Sequence, residues 1–471
     1  MTATKTSRGS AAPNAPRAPR LVFLLGPAFV AAIAYVDPGN VAANLTAGAR
    51  YGYLLVWVLV VANGMAMIIQ YQSAKLGLVT GRSLPELLGE RLRTRSRRAF
   101  WVQAELVAAA TDLAEVIGGA IALQLLFGLP LLLGGVIVGV ISMIILSVQS
   151  RRGQRPFETV IVTLLAVIAV GFLAGLVVSP VSLGGIAGGL VPQFDGGETV
   201  LLAAGMLGAT VMPHAIYLHS SLARDRHGAA LAEHRGAPVT SATASLPVPD
   251  GGGTFARGLR GLFTSTAPTR DGIARTAFVP TPGHVAGIRR LLLATRWDVV
   301  VALLLAGAVN ISMLLIAAAN LGGVDGTDTI AGAHAAITAA LGPVIGVIFA
   351  IGLLASGLAS TSVGSYAGAT IMSGLLHIRI PLLLRRVITM IPALIILAVG
   401  VNPTWALVLS QVFLSLGIPF ALVPLFRLTG DRALMGPFAD RLPLRLLCWA
   451  VAALIVILNV ALITLTLTGA G

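Results

Sequence analysis

Long apolar segments constrain this chain more than any other feature of its sequence. Of its 471 residues, 56% are apolar and only 11% are charged, whereas a soluble domain is roughly a quarter charged. A membrane-spanning helix needs about 20 consecutive apolar residues. Such segments can be placed at 21–46, 52–76, 101–127, 129–149, 159–179, 199–222, 297–321, 334–375, 383–401, 404–426 and 446–468. The sequence therefore predicts an all-α polytopic membrane protein with eleven transmembrane helices. The segment 334–375 is too long for one perpendicular helix, so we expect it to begin before the membrane or to extend beyond it.

The net charge of +14 follows the predicted topology rather than forming a nucleic-acid-binding surface. When the loops are assigned alternately to two sides, the basic groups before span 1 and after spans 2, 4, 6, 8 and 10 all fall on one side. Only Arg50 falls on the other side. Lysine and arginine are concentrated in cytoplasmic loops. We therefore predict a cytoplasmic N-terminus, a C-terminus outside the cell and no nucleic-acid partner.

Composition divides the chain into five parts. Residues 1–20 are polar and rich in Pro and Ala, which predicts a disordered cytoplasmic tail. Residues 224–296 are rich in Gly, Pro, Ser, Thr and Ala without a sustained period, which predicts a flexible cytoplasmic insertion. Residues 21–180 form a first group of five spans, and 199–426 form a second group that contains the insertion. The span at 446–468 is then an additional, eleventh helix.

Two of the apolar spans are interrupted by a proline. In span 1 the segment YVDPGNVAAN (35–44) places Pro38 and Gly39 between Asp37 and Asn40. Proline lacks a backbone N–H, clashes with the preceding turn and biases the residue before it away from the helical conformation. Backbone groups freed in this way are tolerated at membrane depth only where they are buried in protein or line a cavity. Asp37 and Asn40 lie on the two sides of the break and can therefore point into the same space.

The second interruption is in span 6, where GATVMPHAIYLHS (208–220) places Pro213 between Met212 and His214. In a chain of two five-span halves and one extra span, spans 1 and 6 are at corresponding positions. Paired interrupted helices at such positions indicate the mid-membrane binding site of a secondary transporter. One break alone is more often a structural kink, but two breaks, one of them carrying an acid, favour a binding site.

The chemistry of the two breaks indicates a class of ligand. The available donors are the Asp37 carboxylate, the Asn40 amide oxygen, the Met212 thioether and the carbonyls near Ala34 and Ala209. A thioether suits softer transition metals better than Mg²⁺ or Ca²⁺. The mixed set therefore favours a divalent first-row ion such as Mn²⁺ or Fe²⁺. The alternative is that Met212 only fills space in the core.

Span 3 carries three acids in AELVAAATDLAEVIGG. Glu105, Asp112 and Glu115 lie seven and three residues apart, so they share roughly one helical stripe. Acids within membrane helices are costly and mark ion or proton pathways. Asp112 and Glu115, together with His214, form a candidate proton relay. The alternatives are a structural role for Glu105, which is nearest the cytoplasmic end, and a hydrogen-bonding role for His214.

Further polar residues on the helices around the breaks could complete the network. Gln411, in SQVFLSLGIPF, could offer an oxygen to a metal. Asn310 and Asn459 are expected to make interhelical hydrogen bonds, and Thr210 is assigned to the same supporting network. Arg385 and Arg386 open span 9, either as a pair that snorkels to the membrane surface or as a proton exit or inner gate.

Four segments of the sequence carry a resemblance to a known family. They are GPAFVAAIAYVDPGNVAANLTAGARYGYLLVWVLVVAN, WVQAELVAAATDLAEVIGGAIAL, GATVMPHAIYLHSS and NPTWALVLSQVFLSLGIPFALVPL. Together they resemble the Nramp family of proton-coupled divalent metal transporters, in particular its bacterial manganese-importing branch. The resemblance covers about residues 21–470 apart from the insertion. It implies the leucine-transporter-like fold, which has two inverted five-helix repeats, here with an eleventh helix.

The resemblance also implies roles for individual residues. The implied metal ligands are Asp37, Asn40, Met212, the carbonyls of Ala34 and Ala209 and, in some states, Gln411. The implied proton-pathway positions are Asp112, Glu115 and His214, and Arg385 and Arg386 match the cations of span 9. The expected protein is a monomeric importer in a bacterial-type inner (plasma) membrane that carries Mn²⁺, Fe²⁺, Co²⁺ or Cd²⁺ with protons by alternating access. The metal is its substrate, and no cofactor is expected.

The chain departs from the family pattern in span 8, SVGSYAGATIMSG, where relatives usually carry Gln at the position of Ala369 and another polar residue near Ser373. This difference bears on gating or transport rate rather than on metal binding. Two alternative functions are a sodium-coupled small-molecule symporter of the same fold and a metal-permeable channel. No enzyme is expected, because the sequence lacks a His-Glu-x-x-His motif and a paired-Asp motif. The single cysteine, Cys448, excludes an internal disulfide and a cysteine-cluster metal site.

Overall fold

The computed structural model describes residues 26–234, 282–327, 329–378 and 380–468, and these residues form helices joined by short connections. In the first half the helices are α1 (Pro27–Ala32), α2 (Pro38–Tyr51), α3 (Val56–Thr80), α4 (Leu84–Arg91), α5 (Thr94–Phe127), α6 (Leu131–Arg152), α7 (Gln154–Val178) and α8 (Leu183–Gly189). A 3-10 turn, Ile33–Tyr35, stands between α1 and α2. Glycine in the left-handed conformation ends α3 at Gly81 and α5 at Gly128, which is a common helix stop.

The second half continues the all-helical pattern. Its helices are α9 (Gly196–Thr210), α10 (Pro213–His234), α11 (Pro282–Asn320), α12 (Ile330–Leu341), α13 (Pro343–Leu376), α14 (Leu382–Val399), α15 (Pro403–Thr429), α16 (Arg432–Met435) and α17 (Leu442–Thr468). Helices α10 and α11 extend into both ends of the predicted insertion, 224–296. Residues 235–281 and the predicted tail 1–20 lie outside the described residues, so the flexible insertion and the disordered tail stay predictions.

Among the described residues, nine helices are long and apolar enough to cross a membrane, counting α9 and α10 together as one. A tenth is reached if the end of α15 and the segment Arg432–Phe438, which meet at 64°, count as one span. The prediction of an all-α polytopic membrane protein is confirmed, whereas the number eleven stays a prediction. In the predicted span 1, neither α1 nor α2 is long enough to cross a membrane alone.

The predicted span 334–375 is divided by the structure into two helices. Gly342, with φ of 93°, ends α12, and Pro343 opens α13. Glycine adopts this positive φ without the steric cost that a side chain would impose, and proline is favoured in the first turn of a helix. The long apolar run is therefore a 12-residue helix followed by the membrane-spanning α13.

Small residues allow the helices around the first break to approach closely. A Cβ on Gly118 of α5 would lie 2.1 Å from Cβ of Pro38, and one on Gly357 of α13 would lie 3.0 Å from the carbonyl oxygen of Glu115. On the other side, a Cβ on Gly48 of α2 would lie 2.3 Å from a backbone oxygen of α11. Close backbone contact through small residues is typical of membrane helices. It places α5, α11 and α13 directly against the interrupted span.

Candidate metal site and neighbouring acids

The first break is a short non-helical step between the 3-10 turn and α2. Val36 has φ −130° and ψ 37°, and Asp37 has the extended conformation that suits the residue preceding a helix. The Oδ1 atom of Asp37 accepts a hydrogen bond of 2.8 Å from the backbone N–H of Asn40. Asp37 therefore caps α2, as short polar residues commonly do, and its side chain is fully buried.

The two breaks meet at the side chain of Asn40. Its Nδ2 atom donates to Oδ1 of Asp37 at 2.6 Å and to the carbonyl oxygen of Ala209 at 2.9 Å. Ala209 lies in the last turn of α9, and Met212 lies between α9 and α10, where both residues are fully buried. The structure thus brings Asp37 and Asn40 together with the Ala209 carbonyl, which is far from them in the sequence. The Asn40 amide must turn its nitrogen, and not its oxygen, toward Asp37 and Ala209, because only its N–H groups can donate to both acceptors.

Several polar atoms at this place have no protein partner in the part of the chain that the structure describes. They are Oδ2 of Asp37, Oδ1 of Asn40, and Oε1 and Nε2 of Gln411. The Gln411 amide lies over Gly39, where a Cβ would be 1.7 Å from Nε2 of Gln411 and 3.2 Å from Oδ2 of Asp37. Buried polar atoms are nearly always paired. The carboxylate oxygen and the two amide oxygens left over at this buried place are suited to a cation.

The candidate site is not a cluster of acidic, histidine or cysteine side chains. Among the described residues, no three His, Cys, Asp or Glu side chains are grouped so that they could hold a metal ion. The candidate site contains one such residue, Asp37. Its other candidate donors are an amide, a thioether and backbone carbonyls at Ala34 and Ala209, and Ala34 belongs to the fully buried 3-10 turn.

The predicted supporting residues lie at two different places. Asn310 of α11 donates to the Tyr35 carbonyl at 2.6 Å and accepts from Asn44 at 2.9 Å, so it binds both sides of the first break. Asn459 of α17 pairs with Ser415 of α15 and donates to its carbonyl at 2.7 Å. The hydroxyl of Thr210 donates to the Met206 carbonyl of its own helix at 2.6 Å.

Asp112 forms a buried ion pair with Arg386. Oδ1 of Asp112 accepts from Nη1 of Arg386 and, at 2.8 Å, from the hydroxyl of Thr361. Nε of Arg386 donates to Ser142 at 2.9 Å. Arg386 is 0% exposed, so its charge is compensated within the protein. The pair connects α5 with α14.

The neighbouring acids have separate partners. Oε1 of Glu115 accepts a hydrogen bond of 2.5 Å from the hydroxyl of Ser360 on α13. Glu105 and Arg385 form an ion pair of 2.5 Å, and Arg385 also donates to the Ser365 carbonyl at 3.2 Å. The alternative that the two arginines snorkel to the membrane surface is wrong, because Arg385 is only 3% exposed and both arginines bind acids of span 3.

His214 is close to the acids but does not bind them directly. Its Nδ1 atom lies 3.4 Å from the hydroxyl of Thr111, which neighbours Asp112, and its Nε2 atom has no protein partner within the described ranges. One turn and a residue further along α10, His219 contacts Gln70 at 2.8 Å, and Gln70 donates to the hydroxyl of Tyr35 at 2.6 Å. His214 thus lies next to Thr111, the neighbour of Asp112, and its membership of the relay stays a prediction.

The departures of span 8 are on α13, where a Cβ on Gly368, the neighbour of Ala369, would lie 2.0 Å from Nη2 of Arg385. Ala369 is half-buried on α13, and the Ser373 hydroxyl donates to the Thr370 carbonyl at 3.1 Å within the same helix. The contacts that sequence reasoning missed are mostly hydroxyl and amide groups within apolar spans: Asn44, Gln70, Thr111, Ser142, Ser356, Ser360 and Thr361. Their only signal was polarity inside a membrane span, which does not indicate a partner.

A helical membrane protein in which two interrupted helices meet at a buried polar site belongs to the class of secondary transporters with broken helices. The family model for Nramp, described as natural resistance-associated macrophage protein-like, matches residues 28–465. This chain belongs to the Nramp family.

Curated relatives cover nearly the whole chain. The divalent metal cation transporter MntH of Mycobacterium tuberculosis is 54% identical over 447 residues, covering 95% of this chain and 92% of the relative. The protein of the same name from Bacillus subtilis is 42% identical over 448 residues, covering 94% and 92%. These relatives are named as transporters, in agreement with the expectation that the chain is a transporter and not an enzyme.

Solved structures agree with the fold. The manganese transporter of Eremococcus coleocola is 28% identical and superposes with a TM-score of 0.74, covering 94% of this chain and 86% of that one. MhsT in complex with L-phenylalanine has a TM-score of 0.53 at 13% identity, covering 94% and 99%, a likeness of fold alone. The leucine-transporter-like fold predicted from the sequence is confirmed.

Proposed function

We propose that this protein imports divalent transition-metal ions, Mn²⁺ foremost, by proton symport through alternating access. The observation that carries the proposal is the Asn40 side chain, which links the Asp37 carboxylate to the Ala209 carbonyl across the two breaks. The names of the relatives and of the Eremococcus coleocola structure support a divalent metal as the substrate. The metal is cargo, and the function needs no cofactor.

The donors favour a transition metal over Mg²⁺. Asp37, Asn40 and the Ala209 carbonyl supply hard oxygen atoms, which bind all of these ions. The thioether of Met212 adds a soft ligand that benefits Mn²⁺, Fe²⁺, Co²⁺ and Cd²⁺ more than Mg²⁺. A cation that binds between Asp37 and Ala209 takes over the two acceptors of the Asn40 N–H groups. Asn40 can then rotate its amide and present Oδ1, which has no protein partner.

The proton path leads from the metal site to the buried acids. A dication beside Asp37 favours the ionised carboxylate and displaces its proton. Asp112 and Glu115 are the acids that receive it, with His214 beside them. Glu105, on the same helix as these acids, and its ion-pair partner Arg385 of α14 continue this path. Protons moving inward in this way drive accumulation of the metal.

Alternating access uses the two breaks as hinges. Because α1 and α2, and likewise α9 and α10, are separate helices, each half can move without bending a continuous helix. A single chain holds both halves of the site, which supports function as a monomer. The basic loops support an orientation with the N-terminus in the cytoplasm and the C-terminus outside, in a bacterial-type inner (plasma) membrane.

The test is metal uptake by the purified protein in proteoliposomes, comparing Mn²⁺ with Mg²⁺, with and without an inward proton gradient. We expect gradient-driven uptake that is selective for Mn²⁺, and we expect Met212→Ala to lose discrimination against Mg²⁺. Met206→Ala is the matched control, because Met206 is equally buried but packs in the other core cluster, with residues of α17. Wild-type uptake that is indifferent to both gradient and metal contradicts the proposal.

The same preparation separates the alternatives. A requirement for Na⁺ favours the sodium-coupled symporter, against which Asp37 argues because an acid at the break repels an anionic substrate group. Uptake that does not saturate with Mn²⁺ favours a metal-permeable channel. Uptake that is saturable, slow and independent of Na⁺ supports the proton-coupled carrier over both alternatives.

A further inference from the structure

One face of α13 carries hydroxyl groups that bind both the first break and the buried acids. Ser356 donates to the Val36 carbonyl at 2.5 Å, Ser360 donates to Glu115 at 2.5 Å, and the adjacent Thr361 donates to Asp112. All three hydroxyl residues are 0% exposed. Positions 356 and 360 are one turn apart, so they share one face of the helix.

The bond from Ser356 controls the peptide group that leads into Asp37. The carbonyl of Val36 and the backbone nitrogen of Asp37 belong to one planar peptide. Val36 lies in the break, with φ −130° and ψ 37°, so no regular helix sets the orientation of this plane. A hydrogen bond on the Val36 oxygen sets it instead, and with it the position from which the Asp37 carboxylate extends.

The preceding carbonyl is held by a different helix. Asn310 of α11 donates to the Tyr35 oxygen at 2.6 Å, while Ser356 of α13 holds the Val36 oxygen. Two consecutive peptide groups of the break are thus attached to two different helices. The backbone next to Asp37 is therefore held by hydrogen bonds from two neighbouring helices and not by a regular helix of its own.

We propose that Ser356 is a positioning residue for the metal site, and that α13 connects the position of Asp37 with that of Glu115 through Ser356 and Ser360. This inference rests on the proposed function, since it assigns the supporting contacts of that site. Residues that orient metal ligands typically change metal affinity by about 10–100-fold when they are replaced. Ser356 hydrogen-bonds neither to the Asp37 carboxylate nor to an acid of the proton path, so its effect on metal binding is indirect.

The experiment measures Mn²⁺ binding by calorimetry and Mn²⁺ and proton uptake in proteoliposomes for the same variants. We expect Ser356→Ala to raise the Kd and the KM for Mn²⁺ about tenfold, with a smaller change in maximal rate. Ser356→Cys keeps the shape of the side chain but replaces the hydroxyl with a weaker donor, and it should behave like Ser356→Ala. Ser360→Ala should leave the Kd within about twofold but lower the number of protons moved per Mn²⁺, because only the Glu115 contact is lost.

Ser362→Ala is the matched control. Ser362 is on the same helix and also 0% exposed, but its hydroxyl donates at 2.8 Å to Leu358 of its own helix. A purely structural role for buried hydroxyls on α13 would make Ser356→Ala and Ser362→Ala alike in Kd, and that result overturns the inference. A loss of maximal rate at unchanged Kd in both Ser356 variants overturns it as well.

The outcome also distinguishes the two proposals. Wild-type protein that binds no Mn²⁺ contradicts both of them. Wild-type protein that binds Mn²⁺ but shows no gradient-driven uptake contradicts the proposed function, while the Kd values still decide the role of Ser356. Normal wild-type transport with no difference between the Ser356 and Ser362 variants contradicts the positioning role alone.

Discussion

The Nδ2 atom of Asn40 lies 2.9 Å from the carbonyl oxygen of Ala209, so one amide bridges the two interrupted helices. The same nitrogen lies 2.6 Å from Asp37. The two oxygen atoms are therefore held at a spacing that one donor, or one cation, can occupy. This hydrogen-bonded bridge connects the two breaks and supports the proposal that Asn40 is a metal ligand.

Replacing Asn40 should weaken metal binding. Asn40→Ala removes a donor oxygen and the bridge, so we expect the Kd for Mn²⁺ to rise at least about tenfold. Calorimetric titration of the purified protein measures the change. Asn44→Ala is the control one turn further along α2, where the amide binds Asn310 instead. Equal Kd values for the two variants would show that Asn40 is not a ligand.

Close packing behind the first break should be sensitive to a single methyl group. Gly118→Ala places a Cβ 2.1 Å from Cβ of Pro38, so either α5 or the break must shift, at a typical cost of about 1–3 kcal/mol. We expect a lower Tm in detergent and a loss of Mn²⁺ uptake. Gly205→Ala on α9 meets open space and should preserve both. The idea fails if Gly118→Ala transports normally.

Removing one charge of the buried pair between Asp112 and Arg386 should cost more stability than removing both charges. Arg386→Met leaves Asp112 buried without its cation, and such a change costs about 3–5 kcal/mol. The double variant Asp112→Asn/Arg386→Met removes both charges and should recover most of the lost stability, but not proton uptake. Thermal unfolding and proton flux measure the two effects. A double variant as unstable as Arg386→Met would contradict this account.

The ion pair between Glu86 of α4 and Arg224 should make thermal stability depend on pH. Burial alone would raise the pKa of the Glu86 carboxyl, but the Arg224 guanidinium and the hydrogen bonds from Ser83 outweigh it, so this pKa lies below its ordinary value. A lowered pKa in the folded state contributes stability that is present at neutral pH and is lost as the pH falls through that value. The Tm difference between wild type and Glu86→Gln should be largest near pH 7 and shrink below about pH 4.5.

Glu90→Gln provides the comparison for that experiment. Glu90 is on the same helix and pairs with Arg82, but both side chains are more than 40% exposed, and exposed ion pairs contribute little. The Tm of Glu90→Gln should be close to that of the wild type at every pH. A Tm difference for Glu86→Gln that is independent of pH would mean that the ion pair is not its source.

Much of the architecture could be predicted from local sequence. The apolar runs and the interruptions at Pro38 and Pro213 act over a few residues, because hydrophobic length and the missing N–H of proline are local properties. The division of 334–375 at Gly342 and Pro343 was local as well, but the apolar composition on both sides obscured it. The choice of Asp37, Asn40 and Met212 as candidate donors also needed only their places beside the breaks.

Which groups meet was decided by tertiary structure alone. Asn40 and Ala209 are 169 residues apart, and Arg386 and Asp112 are 274 residues apart. Sequence patterning left Arg386 either at the membrane surface or in a gate, and it gave Ser356 no role. Both outcomes depend on how each helix is rotated and how closely glycines such as Gly118 and Gly357 let the helices approach. Those are properties of the packed bundle, since a buried polar group takes whichever partner the neighbouring helix presents.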